Sequence, residues 1–265
     1  LTTGQAGSLV TWTLVGAVIG GLVFGSLSDK FGRVRVLTWT IVLFAVFTGL
    51  CAFAQGYWDL LIFRTIAGIG LGGEFGIGMA LAAEAWPAQH RAKATSYVAI
   101  GWQIGVLAAA ILTPLLLPHI GWRGMFMVGV IPALVAWIFR SRLHEPEIFV
   151  QAQENQEGSQ KNSFKLLVKD LKTTKTSIGV TILTSVQNFG YYGIMIWLPN
   201  FLSKQLGFSL TKSGLWTAIT VCGMLVGIWV FGRLADRIGR KPTFILFQVG
   251  SVISILVYSQ LSDPT

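Results

Sequence analysis

Two ionisable residues, Arg64 and Glu74, stand inside an otherwise apolar stretch, with Gly68-Ile69-Gly70-Leu71-Gly72-Gly73 between them. Burying either charge costs several kcal/mol unless it is paired or solvated, so this pair points to a cavity and not to a lipid-facing surface. Two readings of Glu74 stand side by side. One is a carboxyl hydrogen-bonded to a neighbouring helix, and the other is a carboxyl that accepts and releases a proton during a working cycle. The guanidinium of Arg64 suits a carboxylate ligand. A second polar set consists of Gln103, alone in an apolar run, and of Gln187, Asn188, Tyr191 and Tyr192 beside Gly190 and Gly193. Amides and phenols are costly decoration against hydrocarbon, so this set either lines a wet pocket or, for the tyrosines, serves packing and an interfacial belt. The candidate substrate contacts are therefore Arg64, Gln103, Gln187, Asn188 and Tyr191.

Other chemistries are excluded by context. The glycine run imitates a dinucleotide-binding loop, but that loop needs a strand before it and a soluble βαβ unit around it. Cys51 and Cys222 fall within separate apolar runs and read as small buried residues, with no metal-ligand spacing. His90 reads as an exposed loop residue. No catalytic constellation, metal set or cofactor site emerges, so the chain does not read as an enzyme. The net charge of +9 is spread between apolar runs, with no basic patch bearing base-stacking aromatics, which argues against a nucleic-acid partner.

Membrane helices must hold these residues. The chain is 53% hydrophobic and only 12% charged, more apolar surface than a soluble domain of this length can hide. Apolar runs suited to crossing a hydrocarbon core of ~30 Å fall at 8–27, 36–54, 60–85, 94–117, 125–139, 178–198, 214–231 and 243–261. The expectation is an all-α membrane protein of about eight crossings, with membrane lipid as its solvent. Gly16, Gly20 and Gly21 are spaced for close helix contact, and the glycine run at 68–73 offers small packing faces. Gly121-Trp122-Arg123 makes the turn between the fourth and fifth runs, and Pro114 and Pro132 introduce kinks that membrane helices tolerate. Residues 140–175 change character and become polar. Within them Phe164, Leu167, Val168 and Leu171 recur at helical spacing among lysines, which fits an amphipathic helix on the inner membrane surface or a solvated linker helix.

Two stretches punctuate the runs. Gly25-Ser26-Leu27-Ser28-Asp29-Lys30-Phe31-Gly32-Arg33 and Gly232-Arg233-Leu234-Ala235-Asp236-Arg237-Ile238-Gly239-Arg240 share a G-x-L-x-D-basic-x-G-R frame. The same offset of about 207 residues pairs Gly16 with Gly223, Gly20 with Gly227 and Phe24 with Phe231, so a helix plus its loop is repeated. Gly32 and Gly239 let a helix stop and the backbone turn. Asp29 and Asp236 can cap the positive N-terminus of a neighbouring helix, while Arg33 and Arg240 can pair with carboxylates or phosphate head groups.

This pair resembles the signature loop of the major facilitator superfamily, which lies between the second and third helices of each six-helix half, and the resemblance extends over 1–265. It implies the major facilitator fold, with two pseudo-symmetric helical bundles: helices two to six in 1–139, a cytoplasmic linker at 140–176, and helices seven to nine in 177–265. On this reading the chain is a fragment without the first and the last three helices. The family's partner for Asp29, the start of helix eleven, is then absent, whereas Asp236 is expected at the helix N-terminus near Lys93 to Ser96. Arg64-x-x-x-Gly68 is similar to a motif of the fourth helix whose arginine is associated with proton coupling, so Arg64 and Glu74 are the proton-coupling candidates. Glu84-x-x-Pro87-x-x-x-Arg91 resembles the loop after the fourth helix of sugar and metabolite porters. That likeness implies a cytoplasmic cluster of Glu84 with Arg33, and Arg142 as a third member. With Gly25, Asp29, Gly32, Arg91, Gly232, Asp236, Gly239 and Arg240 these residues form the implied gating set. Leu143-His144-Glu145-Pro146-Glu147 resembles the acidic proline motif after the sixth helix of sugar porters, but the arginine and leucine that usually follow are missing, which weighs against a sugar.

Orientation follows from counting positive loops. Lys30, Arg33, Arg35, Arg91, Lys93, Arg140, Arg142, the linker lysines, Arg233, Arg237, Arg240 and Lys241 fall on one side, against Arg123, Lys204 and Lys212 on the other, which puts the first group in the cytoplasm. The expectation is a monomeric, multi-pass protein of the plasma (inner) membrane that carries a small organic acid or related metabolite together with protons by alternating access. A sugar porter or a drug/proton antiporter of the same fold is the alternative within the class. A solute sensor that binds without transporting is the alternative outside it, and it would call for a long structured cytoplasmic domain.

Overall fold

In the computed structural model, which describes residues 1–140, 145, 167–204 and 209–260, every regular element is helical. In chain order these are α1 (Thr3–Phe31), α2 (Arg33–Cys51), α3 (Tyr57–Ala85), a short 3-10 turn (Ala88–His90), α4 (Arg91–Arg140), α5 (Leu171–Lys204), α6 (Leu210–Ile238) and α7 (Arg240–Gln260). Among the described residues five stretches are long and apolar enough to cross a membrane, and one of them, Ala88–Arg140, is 53 residues long. At ~1.5 Å per residue that stretch greatly exceeds one bilayer, and it divides at Gly121, whose φ of 64° and ψ of 178° break the helical path. The chain is a multi-pass membrane protein of all-α fold.

The turns are tighter than the sequence leads one to expect. Helix α1 runs through Asp29 and Lys30 to Phe31, and a single residue, Gly32 at φ 103°, separates it from α2. Gly239 at φ 94° does the same between α6 and α7. These are conformations open to glycine and closed to most other residues. Each stretch read as a loop is thus helix up to its penultimate residue, Gly32 or Gly239. Similarly, the Gly121-Trp122-Arg123 turn contracts to Gly121 alone. Arg123 then reaches back, and its Nη2 donates to the carbonyl of Ala54 just past α2 at 3.0 Å, a cation placed at a helix C-terminus.

Packing of the first half rests on α3, and glycine decides how close its neighbours come. A methyl group on Gly16 or Gly20 of α1 would strike the backbone of Thr65 or Ile69, and one on Gly68 or Gly72 of α3 would strike the backbone of Thr13 or Ala17. The rising numbers on both helices mean that α1 and α3 run parallel. On its other side α3 packs against α2 through Gly70 and Gly73, each of which faces Thr40, a residue with no exposed surface. A buried cluster of Val36, Leu37 and Ile77 closes this three-helix contact, flanked by Phe24, Leu27 and Leu81. Large apolar side chains such as Ile62, Ile131, Val135 and Phe139 point outward, the inversion a lipid solvent demands.

The two halves meet where α4 and α6 run antiparallel. Lys93 N–H donates to Asp236 Oδ2 at 3.2 Å, Ser96 packs on Gly232, Gln103 meets Met224, and Pro114 lies against Gly214. Cys51 is buried in α2, as expected, but Cys222 of α6 is exposed, because it sits on the face of that helix turned away from α4. Helix α5 begins at Leu171, six residues inside the stretch read as linker. Asp170 caps it, accepting from the backbone N–H of Thr173 at 2.8 Å and from the Thr173 hydroxyl at 3.0 Å. These two bonds hold the Asp170 carboxyl below the usual carboxylate range. A depressed carboxylate stabilises only when ionised, so its contribution is complete above the ordinary value of about 3.9 and fades as the pH falls through the lower folded value. The protection factors of the Thr173 and Thr174 amides, that is exchange relative to the unstructured chain at the same pH, are expected to stay constant above about pH 5 and to fall below about pH 4. The apolar positions expected to make an amphipathic helix begin at Phe164, which lies outside the described residues.

Candidate functional site

A cavity of about 1110 Å³ opens between the halves. Its walls come from α1, α3, α4, α5 and α6, and it is lined chiefly by apolar and aromatic side chains, with Gln103, Gln187, Asn188 and Tyr191 supplying polar groups. Four of the five candidate substrate contacts therefore share one space. None of the described residues that line it is charged. The helical period explains the wall on α3: Leu71 and Phe75 are four residues apart and share a face, with Gly72 beside them.

Gln103 is the most constrained group in the wall. It is only 6% exposed, its Nε2 donates to the Sδ of Met224 at 3.6 Å, and its Oε1 has no partner. A thioether is a weak acceptor, so either orientation of the amide leaves hydrogen-bonding capacity unused, at a cost of about 1–3 kcal/mol. Also in the wall, Tyr191 of α5 accepts a hydrogen bond from Trp102 Nε1 of α4 at 3.2 Å. Trp102 in turn meets Phe75 edge-on at 5.9 Å, and Tyr191 meets Tyr192 edge-on at 5.2 Å. Asn188 spends its amide N–H on the carbonyl of Thr184, one turn back. Trp102 and Phe75 were not singled out from the sequence; the usable signal was that Trp102 adjoins Gln103 and Phe75 adjoins Glu74.

Arg64 and Glu74 do not line this cavity, contrary to the expectation for two charges in an apolar stretch. Glu74 lies one position before Phe75, about 100° round the helix, and turns away from the cavity. There its Oε1 pairs with Nη2 of Arg140 at 3.3 Å, and the other terminal nitrogen of Arg140, Nη1, is buried without a partner. Arg140 is the last residue of α4, counted at the sequence level only as one of the cytoplasmic positive charges. Arg64 sits nearer the start of α3, its guanidinium 5.9 Å from the centre of the Phe126 ring. Pairing and ring contact, not water in the central space, are how the fold accommodates these charges.

A third group of charges gathers at one end of the molecule. Arg33 grips Glu84 with two nitrogens, Nη2 at 3.0 Å and Nε at 3.3 Å, while its Nη1 reaches Asp29 at 2.7 Å and Ser28 Oγ at 2.7 Å. Glu145 caps α2, its carboxylate accepting from the N–H groups of Val34 and Arg35 at about 3.0–3.1 Å. The acidic proline motif thus contributes a helix cap, a role its residue type permits but its position in the sequence does not announce. Arg91 donates to the carbonyl of Trp86 at 3.3 Å and closes the turn before α4, apart from the ion cluster. Gly25 has open space around it, Arg240 is exposed at the start of α7, and Arg142 lies outside the described residues. Because Glu84 ends α3 and Lys93 begins α4 a few residues later, the pair Arg33–Glu84 and the contact Asp236–Lys93 lie at the same end. Both glycine turns therefore emerge on one side of the bilayer.

Removing one of these contacts has a calculable effect. Asp236→Ala takes the acceptor from the start of α4, a loss of about 1 kcal/mol, which corresponds to roughly a fivefold rise in the population with this end of the α4–α6 seam apart. Thiol labelling of a Ser96→Cys reporter is expected to quicken by that factor in the Asp236→Ala background.

Comparison with known proteins adds four findings. A family model described as Major Facilitator Superfamily matches residues 1–265. A Haemophilus influenzae protein named for metabolite transport is 77% identical over 269 residues, which cover 100% of this chain and 66% of that protein. The cis,cis-muconate transport protein of Acinetobacter baylyi is 30% identical over 268 residues, covering 100% of this chain and 65% of that protein. The chain thus spans just under two thirds of the length of these relatives. Among solved structures, the proton:xylose symporter XylE superposes with a TM-score of 0.68 at 22% identity, covering 91% of this chain and 62% of that one.

Proposed function

Because the chain belongs to the Major Facilitator Superfamily, we propose that it forms the greater part of a secondary transporter that carries a small organic acid with protons across the plasma membrane by alternating access. The observation that carries the proposal is the cavity itself, walled by α1, α3 and α4 of the first half and by α5 and α6 of the second. A space shared in this way changes its access when the halves rock, which is how transporters of this build expose a site to either side. Relatives named for metabolite and cis,cis-muconate transport support a small metabolite, and an acid in particular.

In this reading Gln103, Gln187, Asn188 and Tyr191 contact the substrate. Arg64 stands apart from them and is withdrawn from the first rank of substrate contacts. Glu74 takes the proton, with Arg140 as the cation that competes for it. The cluster of Arg33, Glu84, Asp29 and Glu145 and the Asp236 cap hold the cytoplasmic end together in one state and release it in the other. Residues 1–139 and 177–265 act as the two rocking units, joined through the segment 140–176, and a single copy suffices for transport.

Counterflow in proteoliposomes, with the full-length protein and a panel of organic acids and sugars, tests the proposal. Exchange of an acid, and its accumulation only when an inward proton gradient is imposed, is the expected result. Exchange of sugars alone would favour the sugar-porter alternative, and accumulation against the proton flux would favour an antiporter. Saturable binding with no exchange of any compound would favour a sensor and end the transport reading.

A further inference from the structure

Resting on the reading of this cavity as the substrate site, we infer that it selects a flat, conjugated ring, with Trp102 and Tyr191 as the specificity-determining residues. The two side chains come from opposite halves and touch through the Trp102 Nε1–H to Tyr191 Oη bond. Phe75 and Tyr192 buttress them edge-on from either side. The four rings form a continuous wall from α3 to α5, and each of them borders the cavity. Rings braced in this way present fixed π faces and lose little freedom when a ligand arrives.

The polar side of the site is sparse. A polyol would need a dense set of donors and acceptors, whereas the described lining offers a few amides and hydroxyls and no charge. One of those amides, Gln103, is itself buried, with its Oε1 out of reach of the cavity, which thins the polar lining further. A flat ring that asks for few polar partners fits both the aromatic wall and this lining.

The test compares two probes with the same polar groups and different shapes, 4-hydroxybenzoate and its saturated counterpart trans-4-hydroxycyclohexanecarboxylate. Their Kd values are measured on the purified full-length protein by calorimetry. The flat probe is expected to bind at least about tenfold more tightly, equivalent to about 1.4 kcal/mol. Trp102→Leu is expected to cut that ratio below about threefold, and Trp102→Phe, which keeps a smaller ring and guards against misfolding, to leave it in between. Equal binding of the two shapes, failure of both to bind, or a ratio unchanged in Trp102→Leu would overturn the inference. The transport reading stands or falls separately, on accumulation in the proton-gradient assay.

Discussion

On the proposed function, Glu74→Gln in the full-length protein is expected to abolish accumulation driven by a proton gradient while exchange across the membrane continues. The substitution keeps the shape of the side chain and its capacity for hydrogen bonds, but the amide cannot gain or lose a proton near neutral pH. Substrate then equilibrates, and the ratio of inside to outside concentration falls from above about tenfold to about one, since a gradient that is not coupled does no work. The geometry adds a second consequence. Arg140 already has one terminal nitrogen buried without a partner, and Glu74→Gln removes the carboxylate from the other. Breaking a buried pair from one side costs about 3–5 kcal/mol, and the partial exposure of both side chains reduces that to about 1–3 kcal/mol. The double variant Glu74→Gln/Arg140→Met is therefore expected to recover thermal stability without recovering accumulation. Full accumulation in Glu74→Gln would remove Glu74 from the coupling role, and stability unchanged in the single variant would remove the ion pair from the account.

Gly72→Ala is expected to prevent assembly of the first half, whereas Gly76→Ala, one turn further along the same helix, is expected to be harmless. Alanine favours a helix over glycine by about 1 kcal/mol, so at Gly76, where an added methyl meets nothing, the change is neutral or mildly stabilising. At Gly72 the methyl would overlap the backbone of Ala17, and the facing glycines leave α1 and α3 no side-chain atoms that could yield. The helices must separate, and overpacking of a rigid contact costs about 3 kcal/mol or more. The monodisperse yield in detergent and the thermal midpoint check both variants together. Equal behaviour of the two would mean that the close approach of α1 and α3 does not hold the bundle.

Much of the architecture was legible because it depends on short-range regularities. The repeated glycine-aspartate frame, the apolar run lengths and the glycine spacing on α1 and α3 each have a local cause and a local signature. The place of Asp236 at the start of α4, 143 positions away, was implied by the family resemblance and has no local signature. The partners of the charges were less legible. Glu74 and Arg140 are 66 positions apart, and only the packing of α3 against the second part of α4 brings them together. A difference of about 100° in helical phase separates Phe75, on the cavity, from Glu74 behind it, and apolar residues all round α3 hide that phase from any reading of periodicity. Glu145 was visible as an acidic residue beside a proline, but the helix end it caps lies 111 positions earlier in the chain.

The single-residue turns at Gly32 and Gly239 have a mechanical consequence. With no slack between α1 and α2, or between α6 and α7, a twist applied to either helix of a pair is handed to its mate undamped. Each pair then behaves as a stiff lever pivoting at its glycine, and a longer, softer hinge at that point would absorb the displacement before it reached the far side of the bilayer.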